Sequence, residues 1–214
     1  MEGALRITCP SPRPLSLRVL GLVAACVLTA GLGGCSSTPT NPNPRAAEAL
    51  KPASVDLPKY MGRWYVIANI PNPDENGYVA GQADWTLRGD GRIDGAYLGR
   101  KGGFDAPESR REYTTTVVPG TGNAHWRVRR FWLFGASRLT LYVDPMYQYT
   151  VVGYPDKSLG WILARTPFIT GAKYQELLGK LDEQGFDLSR IRRVPQQREQ
   201  VGKPGFHSPG NRDQ

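Results

Sequence analysis

Eight short runs of β-forming residues, most of them separated by tight turns, constrain the fold of this chain more than any other feature of its sequence. The runs alternate apolar with polar residues or are dense in β-branched and aromatic ones, and both patterns favour strands. Asp90-Gly91, between the second and third runs, is a strong hairpin signal. Strands at this spacing predict an antiparallel sandwich or an up-and-down barrel. The predicted strands are Trp64–Ala68, Ala80–Leu87, Ile93–Leu98, Glu112–Val118, Ala124–Phe131, Leu139–Val143, Gln148–Tyr154 and Gly160–Ala164.

One amphipathic helix is predicted after the last strand. Apolar residues recur at i, i+3, i+4 and i+7 from Tyr174 to Leu181, which places them on one face of a helix. Thr170 suits the N-cap and Gly185 suits the end of this helix. Residues 186–191 then predict a short closing strand. One helix after eight strands favours an all-β fold, an eight-stranded antiparallel up-and-down barrel with a C-terminal α-helix packed outside.

The cysteines and the apolar residues at the start of the chain indicate export. Cys9, Cys26 and Cys35 all lie in the first 35 residues, so the rest of the sequence offers no disulfide, thiolate metal site or cysteine nucleophile. Three arginines precede an apolar run at residues 19–32, which is shorter than the ~20 residues that a spanning helix needs. A basic stretch followed by such a run is typical of a secretory signal peptide.

The end of the apolar run resembles the lipobox of bacterial lipoproteins. Residues 32–35 read LGGC, with small residues directly before the cysteine. In such proteins the cysteine thiol is acylated and becomes the mature N-terminus. The resemblance therefore implies a signal peptide at residues 1–34, a lipidated Cys35 and attachment to a membrane through that lipid.

Two polar segments flank the predicted domain. Residues 35–54, which begin at the lipidated cysteine, are rich in Ser, Thr, Asn and Pro and predict a flexible tether. Residues 195–214 are also polar and show no periodicity, which predicts a disordered tail. The folded domain is therefore predicted at residues 55–194.

The basic character of the chain does not indicate a nucleic-acid partner. The formal net charge is +8, but the basic residues are spread along the sequence and are dense only at residues 127–130 and 190–193. Nucleic-acid binding requires those charges to cluster on one element. Weak attraction to an anionic lipid surface fits this distribution better.

Three segments resemble the signature motifs of the lipocalin family and stand in the family's order. Residues 56–65 (DLPKYMGRWY) resemble the first motif, residues 144–149 (DPMYQY) the second and residues 163–167 (LARTP) the third. The resemblance covers about residues 55–196 and is strongest to outer-membrane bacterial lipocalins of the apolipoprotein D type. The chain departs from the family pattern at Pro145 and in the prolyl, acidic loop at residues 71–77.

The resemblance implies structural roles for the most distinctive residues of the three motifs. In this fold Trp64 plugs the closed end of the barrel, and the guanidinium of Arg165 lies over its indole in a cation–π contact. Arg165 is also expected to donate to carbonyls of the turn at residues 55–61. The predicted fold-signature residues are Gly62, Trp64, Asp144, Tyr147 and Arg165.

An eight-stranded barrel has room for one small ligand, and its inward residues come at every second position of each strand. Relatives of this type carry fatty acids or lysophospholipids, which implies such a ligand here. Its head group is expected near the barrel mouth, beside Arg88, Arg100 or Lys101. Aromatic residues such as Trp126 and Trp132 could line the predicted ligand cavity. The predicted ligand-binding residues are Val66, Ala68, Ala83, Trp85, Tyr97, Tyr142, Trp161 and Arg100.

The sequence carries little that favours an enzyme, and no cofactor or metal is expected. It has two histidines, with His125 expected at an exposed strand start and His207 in the tail. It has no nucleophile elbow, zinc-protease motif or phosphate loop. Asp94 and Glu112 could form a carboxylate pair, although their spacing does not require it.

Two non-enzymatic alternatives stay open. A pigment or haem carrier would need an axial ligand, for which Met146 and Tyr147 are available. A structural envelope protein would have a barrel filled by its own aromatic side chains, without a ligand.

The resemblance also implies a cellular location. Ser36, directly after the lipidated cysteine, is compatible with sorting to the outer membrane in relatives. We therefore expect a lipid-anchored protein that faces the periplasm and stores or moves membrane lipid. Some relatives form homodimers, and the sequence leaves that state open.

Overall fold

The computed structural model describes residues 41–130 and 134–209. These ranges contain every predicted strand except the last residue of the fifth, Phe131. The predicted signal peptide, Cys35 and Trp132 lie outside the described residues.

Eight antiparallel strands form a closed up-and-down barrel, as predicted. Each strand pairs with the next along the chain, and β1 pairs with both β8 and β2, which closes the sheet. A one-turn helix, α1 (Leu57–Tyr60), leads into the barrel. The strands are β1 (Gly62–Asn69), β2 (Tyr78–Leu87), β3 (Arg92–Lys101), β4 (Glu108–Val117), β5 (His125–Arg130), β6 (Phe134–Val143), β7 (Tyr149–Gly153) and β8 (Gly160–Ala164).

The third and fourth strands are longer than the sequence predicted. Residues 99–107 were expected to form a loop, yet β3 continues to Lys101 and β4 begins at Glu108. Arg100 pairs with Glu108 across the two strands. The hairpin extends because charged side chains on its solvent face leave the backbone free to continue the ladder.

One helix packs outside the barrel, as predicted. Helix α2 (Gly171–Glu183) contacts β6, β7 and β8, and Thr170 caps it by accepting a hydrogen bond from the Lys173 backbone N–H at 3.1 Å. Leu177 and Leu181 are buried against the outer face of the sheet. No helix within residues 41–130 and 134–209 is long and apolar enough to cross a bilayer.

The short closing strand lies later than predicted. A 3₁₀ turn occupies Leu188–Arg190, and the strand itself, β9, is Arg192–Arg193. It pairs with Ala68 and Asn69 of β1 beside β8. The side chain of Asp187 accepts a hydrogen bond from the Ser189 backbone N–H, which starts the 3₁₀ turn and delays the strand.

The predicted flexible tether is ordered from residue 41 onward. Lys157 donates from Nζ to the backbone carbonyls of Arg45, Ala46 and Glu48 at 3.0, 2.9 and 2.6 Å. Asn43 is buried and donates to the Phe186 carbonyl at 3.0 Å. Polar composition predicted disorder here, but hydrogen bonds from side chains to the backbone hold this segment on the domain.

The predicted disordered tail is likewise ordered through residue 209. Gln196 donates from Nε2 to the carbonyls of Val66 and Gly81 at 2.8 and 3.0 Å. His207 is buried, and its Nε2 lies 2.6 Å from Oδ1 of Asn69. His207 therefore belongs to the folded domain. Hydrogen bonds to buried polar groups of the barrel hold this segment, although it has few apolar side chains.

Candidate functional site

Four large aromatic side chains close one end of the barrel. Tyr60 stacks on Trp85 with ring centroids 5.3 Å apart, and Trp85 meets Trp126 edge-on at 5.3 Å. Trp64 tilts against Tyr60 at 5.2 Å. All four are almost fully buried, so they form a solid aromatic floor.

Arg165 covers this floor from outside. Its guanidinium carbon lies 3.8 Å from the centroid of Trp64. Nη2 donates to the carbonyls of Lys59 and Met61, each at 2.8 Å, and Nη1 donates to that of Arg63 at 2.7 Å. A single side chain therefore ties the entry turn of the barrel to the end of β8.

The backbone conformation of Gly62, beside Arg165, accounts for a glycine at this position. This glycine has a φ of +88°, a left-handed conformation that side chains disfavour. A Cβ at this position would lie 3.5 Å from Nη1 of Arg165. Gly62 therefore allows the chain to turn into β1 beneath the guanidinium.

Asp144 and Tyr147 shape the turn between β6 and β7. The carboxylate of Asp144 accepts hydrogen bonds from the backbone N–H groups of Met146, Gln148 and Tyr149 at 3.1, 2.6 and 2.5 Å. The hydroxyl of Tyr147 accepts from the Asp56 N–H at 2.9 Å. Met146 is 76% exposed, and neither it nor Tyr147, the two candidate haem ligands, lines the cavity of the barrel.

A cavity of about 590 Å³ lies above the aromatic floor. This volume is within the ~300–1,000 Å³ of typical small-molecule pockets. Of the predicted ligand-binding residues, Val66, Tyr97 and Trp161 line it. The other lining residues are Asp74, Glu75, Arg111, Glu112, Tyr113, Val128, Gly135, Ala136, Arg138, Val152, Tyr154 and Leu163.

Ala68 and Tyr142 lie on the outer side of the barrel, contrary to the prediction. Both pack in the cluster beneath α2, away from the cavity. The pairing register of β1 with β8 shifts between Val66 and Ala68, and that of β6 with β7 shifts between Thr140 and Tyr142. A bulge of one residue moves the following side chains to the opposite face, and strict alternation does not foresee it.

Ala83 and Trp85 point inward but lie in the core below the cavity. Both belong to the cluster that includes Trp64, and neither lines the cavity wall. Trp85 donates from Nε1 to the Tyr113 hydroxyl at 2.9 Å, which fixes its ring in the floor. Their inward direction was predicted, but their depth was not.

The basic residues predicted at the mouth do not form one site. Arg88 lies in the turn between β2 and β3, at the closed end, and pairs with Asp90 at 3.3 Å. Arg100 lies at the other end of β3 and donates to the Ala106 carbonyl at 2.6 Å. Neither of them, nor Lys101, lines the cavity. These three residues were predicted as alternative partners of the head group, and none of them lies at the cavity wall.

The strongest polar feature inside the barrel was missed by sequence reasoning. Arg138 is 9% exposed and lines the cavity, with its guanidinium carbon 4.3 Å from the centroid of Trp85 and 4.5 Å from that of Trp126. Its Nη2 is buried and has no hydrogen-bond partner among the described residues. This guanidinium therefore offers a hydrogen-bond donor to whatever occupies the cavity. Its interior position follows from its pairing opposite Trp126 in the β5–β6 register, which the sequence alone does not reveal.

An acidic group lies at the opposite end of the cavity. Glu75, in the loop after β1, accepts hydrogen bonds from Nε1 of Trp161 at 2.9 Å and from Nδ2 of Asn69 at 2.6 Å. Burial raises the pKa of the Glu75 carboxyl above its ordinary value. Nearby, the hydroxyl of Tyr97 is buried without a partner among the described residues. Burial raises the pKa of this phenol well above its ordinary value.

The residues considered for catalysis do not converge. Asp94 pairs with Arg88 and Glu112 pairs with Arg110, so these carboxylates do not form a dyad. His125 hydrogen-bonds to Ser137, far along the chain from His207 in its own buried pair. Within the described ranges, no group of three or more acidic, histidine or cysteine side chains could hold a metal ion.

Comparison with known proteins decides the family. The family model of the lipocalin-like domain matches residues 55–196, which is most of the barrel, α2 and β9. The chain belongs to the lipocalin family. Its closed eight-stranded barrel is thus that of a lipocalin.

Named lipocalins align with most of the chain. The outer membrane lipoprotein Blc of Escherichia coli (strain K12) is 31% identical over 178 residues, which cover 82% of this chain and 96% of that protein. Temperature-induced lipocalin-1 of Arabidopsis thaliana is 31% identical over 163 residues, covering 66% and 80%. Apolipoprotein D of Macaca fascicularis is 26% identical over 168 residues, covering 75% and 81%.

A solved structure supports the barrel assignment. Insecticyanin from the tobacco hornworm Manduca sexta superposes with a TM-score of 0.54 at 17% identity. The match covers 75% of this chain and 88% of that one. At this identity the likeness concerns the fold alone.

Proposed function

We propose that this lipocalin stores or transports a fatty acid or a lysophospholipid in the bacterial cell envelope. The observation that carries the proposal is the cavity of about 590 Å³, whose apolar walls include Val66, Val152 and Leu163. An acyl chain is held by burial of its surface, worth ~25 cal/mol per Å² of apolar area, and needs few directional contacts. The three apolar wall residues are almost fully buried, so they present apolar surface to a ligand inside the barrel.

We further propose that Cys35 carries the lipid anchor and that the domain faces the periplasm from the outer membrane. The LGGC sequence supports acylation, and the alignment with the outer membrane lipoprotein Blc supports the location. Replacement of Cys35 by serine should abolish incorporation of labelled palmitate and release the protein from the outer-membrane fraction. Retention of both label and location would overturn this part of the proposal.

Native mass spectrometry of the purified protein, exposed to lipids extracted from bacterial envelopes, tests the ligand. The proposal predicts one bound fatty acid or lysophospholipid per chain, identified after organic extraction. A clean unliganded mass, together with unchanged tryptophan fluorescence on addition of acyl ligands, would contradict it. That outcome would favour a structural barrel without a ligand.

A further inference from the structure

The cavity is electrically asymmetric along the barrel axis. Arg138 lies at its inner end, on the aromatic floor of Trp85 and Trp126. Asp74 and Glu75 lie at its outer end, in the loop that follows β1. Because Arg111 pairs with Asp74 at the outer end, the charge of Arg138 is the one that draws an anion inside the barrel to the floor.

Stacking leaves the hydrogen-bonding capacity of Arg138 unused. A guanidinium carries five N–H donors in its plane, and a ring contact with its face satisfies none of them. The buried Nη2 has no hydrogen-bond partner among the described residues. A planar carboxylate is the group whose two oxygens match such a donor edge.

The other arginine in the cavity is differently placed. Arg111 donates from Nη2 to the Asp74 carbonyl, and its Nη1 lies 3.7 Å from the Asp74 carboxylate. Its guanidinium carbon also lies 5.0 Å from the centroid of Tyr97. The charge of Arg111 is thus already balanced by the outer loop, in contrast to that of Arg138.

We propose that the cavity binds a free fatty acid head first, with its carboxylate hydrogen-bonded to Arg138 on the aromatic floor and its acyl chain running outward past Val128 and Trp161. This inference rests on the proposed function and narrows it. A lysophospholipid bound head first would have to bury a much larger polar head beside apolar wall residues such as Val66 and Val152. A single carboxylate needs the one partner that the floor provides.

The head-first orientation is tested on the unmodified protein by comparing oleate with oleyl alcohol, which differ only in the head group. Dissociation constants at pH 8 are measured by displacement of a fluorescent fatty acid. We expect oleate to bind about 10- to 100-fold more tightly, the range of a charge-assisted hydrogen bond. Equal affinity for the two ligands would overturn the inference while leaving a lipid-binding function intact. Binding of neither ligand would overturn the inference and the fatty-acid part of the proposed function, and would leave only a lysophospholipid as its ligand.

Variants test whether Arg138 is responsible for the preference for oleate over oleyl alcohol. Arg138→Met should lose the preference for oleate over oleyl alcohol, and Arg138→Lys should keep part of it. Arg127→Met is the matched control, because Arg127 is exposed on β5 and its removal changes the net charge equally. Loss of the preference in Arg111→Met, with its retention in Arg138→Met, would show the opposite orientation and overturn the inference.

A spectroscopic readout covers the case in which Arg138→Met does not fold. The carboxyl carbon of [1-¹³C]oleate is followed by NMR in the complex with the unmodified protein as the pH is lowered. A carboxylate beside a buried guanidinium should stay ionised to a lower pH than oleate in a bilayer. Titration at the bilayer value or above would overturn the inference.

Discussion

The guanidinium of Arg165 lies over the indole of Trp64, with its central carbon 3.8 Å from the ring centroid. The same side chain donates four hydrogen bonds to backbone carbonyls, including that of Tyr147 at 3.2 Å. It joins the entry turn, the start of β1, the β6–β7 turn and the end of β8. The closed end of the barrel is therefore a hydrogen-bonded cap over an aromatic floor.

Replacement of Arg165 by methionine should lower the free energy of unfolding by ~2–4 kcal/mol. The variant loses a cation–π contact and leaves several backbone carbonyls without donors. Arg165→Lys should recover only a small part of this lost stability, because a single ammonium group cannot reach all the backbone carbonyls to which the guanidinium donates. Urea unfolding measures both, and an unchanged midpoint in Arg165→Met would refute a stabilising role.

The stability of the domain should fall as the pH decreases from 6.5 to 4. Burial lowers the pKa of His207 to about 4, whereas the unfolded chain has an ordinary histidine value of ~6.5. The unfolded state therefore binds the proton first, so the contribution of His207 is complete above pH 6.5 and is lost as the pH falls towards 4. The loss amounts to about 3 kcal/mol at most.

His207→Asn removes that titration and is the comparison for the pH series. Chemical unfolding at pH 7, 5.5 and 4.5 should show a steeper loss for the unmodified protein than for the variant. Parallel losses in the two proteins would mean that His207 is not buried as a neutral side chain beside Asn69.

Replacement of Lys157 by methionine should loosen the segment at residues 45–53. The ammonium group donates to three carbonyls of this segment, and one charge-assisted hydrogen bond is worth ~1.5–3 kcal/mol. Amide hydrogen exchange there should become at least about tenfold faster, while exchange in the barrel strands stays the same. Lys203→Met, at an exposed site, is the control, and equal exchange in the two variants would argue against an ordered segment.

Hydrophobic alternation predicted the barrel well because most strands keep a strict period of two. Val66, Tyr97 and Trp161 were assigned to the cavity on that basis, and they line it. The same rule misplaced Ala68 and Tyr142, because a bulge precedes each of them and reverses the face. Bulges depend on pairing with a second strand, and one strand's sequence does not reveal that pairing.

Residue charge and segment composition predicted burial and order less well than hydrophobic alternation predicted the strands. An arginine in a strand is usually a surface residue, so Arg138 was not placed in the interior. The polar stretch around Asn43 and the tail around His207 resemble disordered segments in composition. Their order comes from individual side chains that reach distant backbone groups, such as Lys157, and composition does not report such contacts.

The central claim is that the barrel interior holds one acyl ligand, and filling that interior tests it most directly. Val128 lines the cavity and Thr116 is exposed on the outer surface of the adjacent strand, so Val128→Trp and Thr116→Trp form a matched pair. Titration of each purified protein with oleate, followed by tryptophan fluorescence and by native mass spectrometry, gives affinity and stoichiometry. We expect one oleate per chain for the unmodified protein and for Thr116→Trp, and at least about tenfold weaker binding for a folded Val128→Trp, because the indole occupies the site. Equal binding by the two variants would contradict a ligand site inside the barrel.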